Sequence, residues 1–313
     1  MFYFDQFDAQ PNWTRAVGFN GGEVMTAYKE YSPDYIPRII QECVNRNYRI
    51  DLRTNALWTE DNTVNQMIWQ SLDNIDFSKY TNKISFSLSI DRFHNNETAN
   101  QNLISRICNS DLGKHFEFTA YLIPDNSNDD NQEFGQIYAR LIELVGALSN
   151  ENGVEITEMA TSKIPQRYNT GVYLNNIPFL VEAHNFGRWG RAKEFGIGSD
   201  ETDLGHVMAQ FNVIQIKQDY EILDKNSCAK QGRASAHFIF SSDGMADFIV
   251  PVQKETAGVP WRDGDRCKPL AQLYPEMVEH LRTRFDTVQK LYPQITPESV
   301  ALPYILKTLS PER

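Results

Sequence analysis

The spacing of apolar residues changes period repeatedly along the first half of the chain. Ala16–Phe19 is a short apolar run bounded by polar residues and reads as a buried strand. Ser32-Pro33 can cap and open a helix, in which Ile36, Ile39, Ile40, Cys43 and Val44 then recur at helical spacing. Tyr48–Thr54 is the next predicted strand. Thr59-Glu60-Asp61-Asn62 supplies a helix start, and Val64, Met67, Ile68 and Leu72 form one apolar face. Lys83–Ile90 alternates and is rich in Ile, Phe and Leu, the pattern of a strand. Residues 96–109 are predicted helical, His115–Ile123 a strand, and Glu133–Ser149 an amphipathic helix through Ile137, Leu141, Leu144, Val145 and Leu148. Gly153–Glu158 closes the series as a short strand. Repeated strand–helix units imply a parallel sheet with right-handed crossovers.

From about residue 165 the pattern changes. Strand-like stretches at Gly171–Val181, Val207–Ile216 and Ser235–Phe240 stand among polar loops, and helices are predicted near 270–291 and 297–308. The expected organisation is an α/β domain over residues 1–195 with a C-terminal extension over 196–313.

Composition narrows the function classes. With 41% hydrophobic and 23% charged residues, 313 residues can bury a substantial core without disulfides. A net charge of −11 argues against a nucleic-acid partner. Arg188, Arg191 and Lys193 form a local basic patch suited to a small anion or to solvent. The N-terminus lacks the pattern of a secretory leader, and no apolar run approaches the ~20 residues that span a bilayer, so no membrane partner is expected. Cys43, Cys108, Cys228 and Cys267 show no metal-ligand spacing and fit a reducing cytoplasm.

Ligands of parallel α/β sheets gather at the C-terminal ends of the strands. Gly21-Gly22-Glu23 ends the first strand, Thr54-Asn55 the second, Ser87, Ser89 and Asp91 the third, and Glu155, Thr157 and Glu158 the fifth. These groups suit a small ligand bearing amine, hydroxyl and carboxylate; they also suit ordinary strand-to-helix turns. Asp91, His94 and Glu97 stand at three-residue spacing and could share a helix face toward a divalent metal, or simply cap a helix and face solvent. His184 to Trp189 mixes His, Arg and an aromatic, as a substrate wall or a plain loop would.

The ordered set Gly-Gly-Glu, Thr-Asn-Ala-Leu (commonly Thr-Asn-Gly-Leu) and Ser-Leu-Ser-Ile-Asp-Arg-Phe-His resembles the core of radical S-adenosylmethionine proteins, and Gly190-Arg191-Ala192 resembles a segment near the end of their barrel. The resemblance covers about residues 15–195 and implies an incomplete parallel (β/α)6-type barrel. It implies that Gly21, Gly22 and Glu23 contact the methionine end of S-adenosylmethionine, with Glu23 accepting from the ammonium. It further implies that Ser89 and Asp91 approach the sugar or carboxylate, that Asn55 and His94 line the pocket, and that Arg191 meets an anionic group.

The family binds a [4Fe-4S] cluster through Cys-x-x-x-Cys-x-x-Cys upstream of Gly-Gly-Glu, because such clusters need thiolate ligands. No cysteine precedes Gly21 here, so barrel strand 1 and the cluster loop are expected to be missing. Reductive cleavage of S-adenosylmethionine would then require a further segment or partner chain, and this chain alone is expected to be inactive. The alternative is a non-catalytic remnant that binds a ligand or a partner. The open edge of the first strand is expected to bring poor solubility, a partner chain, or a cover by residues 1–14, for which Phe2, Tyr3, Phe4 and Phe7 are apolar enough.

Overall fold

The computed structural model describes residues 2–9, 15–19, 23–25, 32, 34–90, 96–122, 130–165, 168–183, 239–240, 245–247, 258–264, 266–291 and 293. The chain divides into two compact units: residues 14–186 with 194–198, and residues 1–13 with 187–193 and 199–313.

The first unit is α/β. Its elements are β1 (Ala16–Phe19), α2 (Tyr35–Asn45), β2 (Arg49–Thr54), α3 (Asn62–Asp73), β3 (Ile84–Ile90), α4 (Glu97–Cys108), β4 (Phe116–Leu122), α5 (Asp130–Asn152), β5 (Ile156–Glu158), β6 (Thr170–Leu174) and β7 (Ile177–Ala183). The seven strands form one sheet in the order β1-β2-β3-β4-β7-β6-β5. β1 to β4 and β7 are parallel, while β6 runs antiparallel to β7 and β5 antiparallel to β6. Among the described residues β1 and β5 are the two edges, and the sheet does not close.

Two details differ from the sequence reading. Gly171–Val181 is two strands, not one, because Asn175 and Asn176 adopt φ of 46° and 67° and turn the chain back on itself. A pair of residues with positive φ is what a tight hairpin requires, and Asn tolerates it better than most. The fifth parallel strand is therefore β7, and β5 lies three strands from β4 at the edge. Thr157 and Glu158 are exposed there, so Glu155, Thr157 and Glu158 do not join the other strand ends.

Because β1 to β4 and β7 follow one another in a single direction, right-handed crossovers carry α2 to α5 to one face of the sheet. That face is apolar. Ile50, Leu52, Ile84, Phe86, Leu88, Phe116, Phe118 and Phe179 are buried there. The Phe86 and Phe116 rings stack with centroids 5.6 Å apart. α2 contributes Ile36, Ile40, Cys43 and Val44, and α4 contributes Leu103, Ile104 and Ile107. Asp61 caps α3, accepting from the backbone N–H groups of Thr63 and Val64. Gly113 follows α4 where a Cβ would stand 2.7 Å from Ile177 Cδ1 and 3.0 Å from the Ile107 carbonyl, so a side chain there would have to displace the tip of Ile177 on β7.

The opposite face is polar along β2 to β4. Strand alternation puts Arg49, Asp51 and Arg53 of β2, Ser85, Ser87 and Ser89 of β3, and Glu117, Thr119 and Tyr121 of β4 on it. Toward β6 it gives way to a small apolar cluster of Met159, Tyr168 and Leu180, with Ile164 and Tyr173 packed against it.

In the second unit, α1 (Phe2–Asp8) packs on residues 261–270. The Tyr3 hydroxyl donates to the carbonyls of Trp261 (3.2 Å) and Lys268 (2.9 Å), and Gln6 Oε1 accepts from the Leu270 N–H at 2.7 Å. These hydrogen bonds tie α1 to residues of its own unit. β8 (Ile239–Phe240), β9 (Met245–Asp247) and β10 (Val259–Pro260) form a small antiparallel sheet, and β11 (Arg262–Asp263) pairs with β12 (Arg266–Cys267). α6 (Leu270–Leu291) buries Leu270, Leu273, Met277, Leu281 and Phe285. The predicted strand at Val207–Ile216 and helix at 297–308 lie outside the described residues.

Candidate functional site

Glu23, beyond β1, is joined to the C-terminal end of β2, and the end of β2 to that of β3, by side-chain hydrogen bonds. The Glu23 carboxylate accepts three bonds from neighbouring groups. Glu23 Oε1 accepts from the Met25 N–H at 3.0 Å and the Thr54 hydroxyl at 2.7 Å. Glu23 Oε2 accepts from the Asn55 N–H at 2.7 Å. Bonds to a carboxylate are the stronger kind, so Glu23 fixes residues 23–25 against the end of β2.

The end of β2 is itself tightly turned. The Thr54 hydroxyl also accepts from the Ala56 N–H at 2.9 Å, and Asn55 Oδ1 accepts from the Leu57 N–H at 3.0 Å. Ala56 has φ 62° and ψ −1°, a left-handed conformation that favours glycine, and its side chain is fully buried. The Thr-Asn-Ala-Leu segment therefore adopts the turn for which Thr-Asn-Gly-Leu is the better-suited sequence.

Asn96, just before α4, links β2 to β3. Its Nδ2 donates to the Asn55 carbonyl at 2.8 Å and, more weakly, to the Ser89 carbonyl at 3.5 Å. It is buried. Asn55 and Ser89 remain half-exposed beside it.

The predicted site residues therefore divide. The structure brings Glu23 and Asn55 into direct contact and joins Asn55 to Ser89 through Asn96. Gly21, Gly22, Asp91, His94 and Arg191 lie outside the described residues, as do His184 to Trp189. Glu97, the third member of the suggested metal set, is ion-paired with Arg140, whose Nε donates to Glu97 Oε1 at 2.6 Å. Among the described residues, no group of three or more His, Cys, Asp or Glu is arranged to hold a metal.

Three residues that the sequence reading passed over belong to this region. Asn96 was hidden because an Asn before a helix reads as a cap. Arg53 and Tyr121 were hidden inside strands, where only the register shows that they share the polar face. The Arg53 guanidinium carbon stands 4.7 Å from the centre of the Tyr121 ring. Ser87 Oγ donates to Asp51 Oδ1 beneath it. Burial pushes the Tyr121 hydroxyl above the usual phenol range; Asp51 and Glu182 add to the rise, while Arg53 and a Ser87 hydrogen bond oppose it.

Two of the described cysteines do not suit an iron–sulfur cluster. Cys43 and Cys108 are buried on separate helices, and burial pushes both thiols up to about 12. Cluster binding needs thiolates. Cys267 belongs to the second unit and Cys228 lies outside the described residues, so at most two of the four cysteines are not already packed as buried thiols.

A separate cleft runs between α3 and α4 on the helical side, lined by Asn65, Gln66, Trp69, Asp73, Asn102 and Arg106. It is partly spanned by a 3.6 Å ion pair between Arg106 and Asp73 and does not include the strand ends. No helix among the described residues is long and apolar enough to cross a membrane. No protein-family model, no curated protein and no solved structure matches this chain.

Proposed function

We propose that the chain is a radical S-adenosylmethionine-like protein whose strand ends bind S-adenosylmethionine, or a ligand of the same nucleoside and amino-acid kind, in a cytoplasmic setting. The observation that carries the reading is the lock between Glu23, Thr54 and Asn55. It holds residues 23–25 and the turn after β2 as one polar rim, at the edge of a parallel sheet where ligands of such folds bind. In this reading the sheet is the wall of a partial barrel, with its polar face inward and its helices outward.

Each residue has a defined part. Glu23 fixes the rim and places a negative charge beside the ligand's ammonium. Asn55 offers its side-chain amide, and Ser89 its hydroxyl, to the ligand's polar edge. Gly21, Gly22, Asp91, His94 and Arg191 enter through the resemblance and complete the set.

In the family, a [4Fe-4S] cluster supplies the electron that cleaves the sulfonium. Two of the described cysteines do not suit that group, and this favours ligand binding as the activity of the chain itself. Radical chemistry on a substrate, with cluster ligands from a partner chain, is the alternative within the same proposal.

Calorimetric titration of the whole chain with S-adenosylmethionine tests the reading. Saturable binding is expected, weakened about tenfold or more in Glu23→Gln, which keeps the shape and removes the charge. Absence of any saturable heat for the wild-type chain, or equal affinity in the variant, would overturn it.

A further inference from the structure

A second polar constellation lies one row deeper in the sheet than the strand-end residues. Arg53 is in register with Ser87, Ser87 with Thr119, and Thr119 with Leu180. The next row toward the strand ends is Ser89, Tyr121 and Glu182. Neighbouring strands are ~4.8 Å apart, so to reach a ring two strands away the Arg53 side chain must cross β3. Its guanidinium therefore lies over the middle of the polar face.

This guanidinium is an unusual group to leave there. Arg53 is only partly exposed, and its Nε is buried with no hydrogen-bond partner. Stacking on Tyr121 is its one interaction among the described residues, and stacking uses the plane of the guanidinium, not its N–H edge. Neither Asp51, which accepts one bond from Ser87, nor Glu117, which pairs with Arg49 at 2.5 Å, bonds to Arg53. An arginine held by its plane, with its Nε–H unmatched by any acceptor among the described residues, is preorganised for an oxyanion.

The surrounding charge selects which oxyanion. Asp51 and Glu182 both act electrostatically on Tyr121, the ring on which Arg53 lies. Two acids beside one arginine disfavour a phosphate dianion. They tolerate a single carboxylate, and they favour a ligand that carries a cationic group next to it.

We propose that the polar face of β2 to β4 is a binding subsite for a small amino-acid-like molecule, its carboxylate on Arg53 and its ammonium toward Asp51 and Glu182. The Tyr121 hydroxyl supplies a further polar contact at its rim. The subsite is separate from the strand-end ligand and stands or falls independently of it.

The Nε–H resonance of Arg53, assigned by its loss in Arg53→Lys, reports the subsite directly. The full chain is titrated at constant ionic strength with glycine, sodium acetate, methylammonium chloride and inorganic phosphate. Glycine and acetate should shift the resonance saturably, glycine binding about fivefold tighter through its added ammonium, and methylammonium should leave it unmoved. In Arg53→Lys, with its backbone amide spectrum otherwise unchanged, the glycine-dependent shifts at Tyr121 should weaken. No saturable shift with either carboxylate would overturn the proposal, as would phosphate binding more tightly than acetate. A chain that shows these shifts but no S-adenosylmethionine binding would retain this subsite and lose the strand-end reading; the opposite result would do the reverse.

Discussion

The Thr54 hydroxyl donates to Glu23 Oε1 at 2.7 Å and accepts from the Ala56 N–H at 2.9 Å. One buried hydroxyl thus serves Glu23 and the turn after β2 at once. Thr54→Val keeps the shape and removes both bonds. It leaves an amide and a carboxylate oxygen short of a partner, so a loss of about 2–3 kcal/mol is expected in urea unfolding. Thr54→Ser, which keeps the hydroxyl, should lose much less. Equal losses in the two variants would show that packing of the methyl, not the hydroxyl, matters here.

Ala56 offers a test of the backbone alone. Its φ of 62° strains any residue with a Cβ, yet its methyl group is fully buried. Ala56→Gly relieves the strain but loses the methyl and loosens the unfolded chain, so its stability should stay within about 1 kcal/mol of wild type. Ala56→Val adds a branched side chain in a left-handed conformation and should cost more than about 2 kcal/mol. A well-tolerated valine would mean that the turn is not left-handed.

The thiols should separate by burial. Cys43 and Cys108 have pKa values pushed up to about 12 by burial, whereas Cys267 is half-exposed. Reactivity follows the exposed thiolate. Iodoacetamide at pH 8 should therefore label Cys267 in the native chain, and Cys43 and Cys108 only after unfolding, as read by peptide mass mapping. Native labelling of Cys43 would contradict its burial on the inner face of α2.

His115 should make stability depend on pH. Its ring stacks on Phe77 with centroids 4.5 Å apart, and burial, helped by Lys114 and Lys83, lowers its pKa from 6.5. Between the folded and unfolded values the unfolded chain binds more protons, so acid favours unfolding. This contribution is complete above about pH 6.5 and is lost as pH falls from there through the lower folded value. His115→Gln should flatten that part of the stability profile. An unchanged slope would assign it to other groups.

Much of the first unit was legible because periodicity carries it. Buried helices such as α2 and strands such as β3 announce themselves through repeating apolar residues, and the boundaries fall within a few residues of those predicted. The β6–β7 hairpin was not legible as a break, because Asn175-Asn176 lies inside one continuous apolar stretch and only its φ values mark the turn. The error displaced the fifth parallel strand and with it Glu155, Thr157 and Glu158. At the site, motif order singled out Glu23, Asn55 and Ser89, since each follows or ends a strand. Order could not reveal that Glu23 holds the backbone of Asn55, or that Asn96 bridges Asn55 to Ser89, because those contacts depend on side-chain direction. Arg53 was invisible for the same reason: its neighbour Tyr121 is 68 positions away in sequence and two strands away in the sheet.

Hydrogen–deuterium exchange of the whole chain, with and without S-adenosylmethionine, tests the strand-end site most directly. Added ligand should slow exchange in peptides covering residues 49–57 and 84–90, the ends of β2 and β3 with the turn at Asn55. That protection should be lost in Glu23→Gln. No protection at either strand end, or protection confined to the cleft between α3 and α4, would contradict the account.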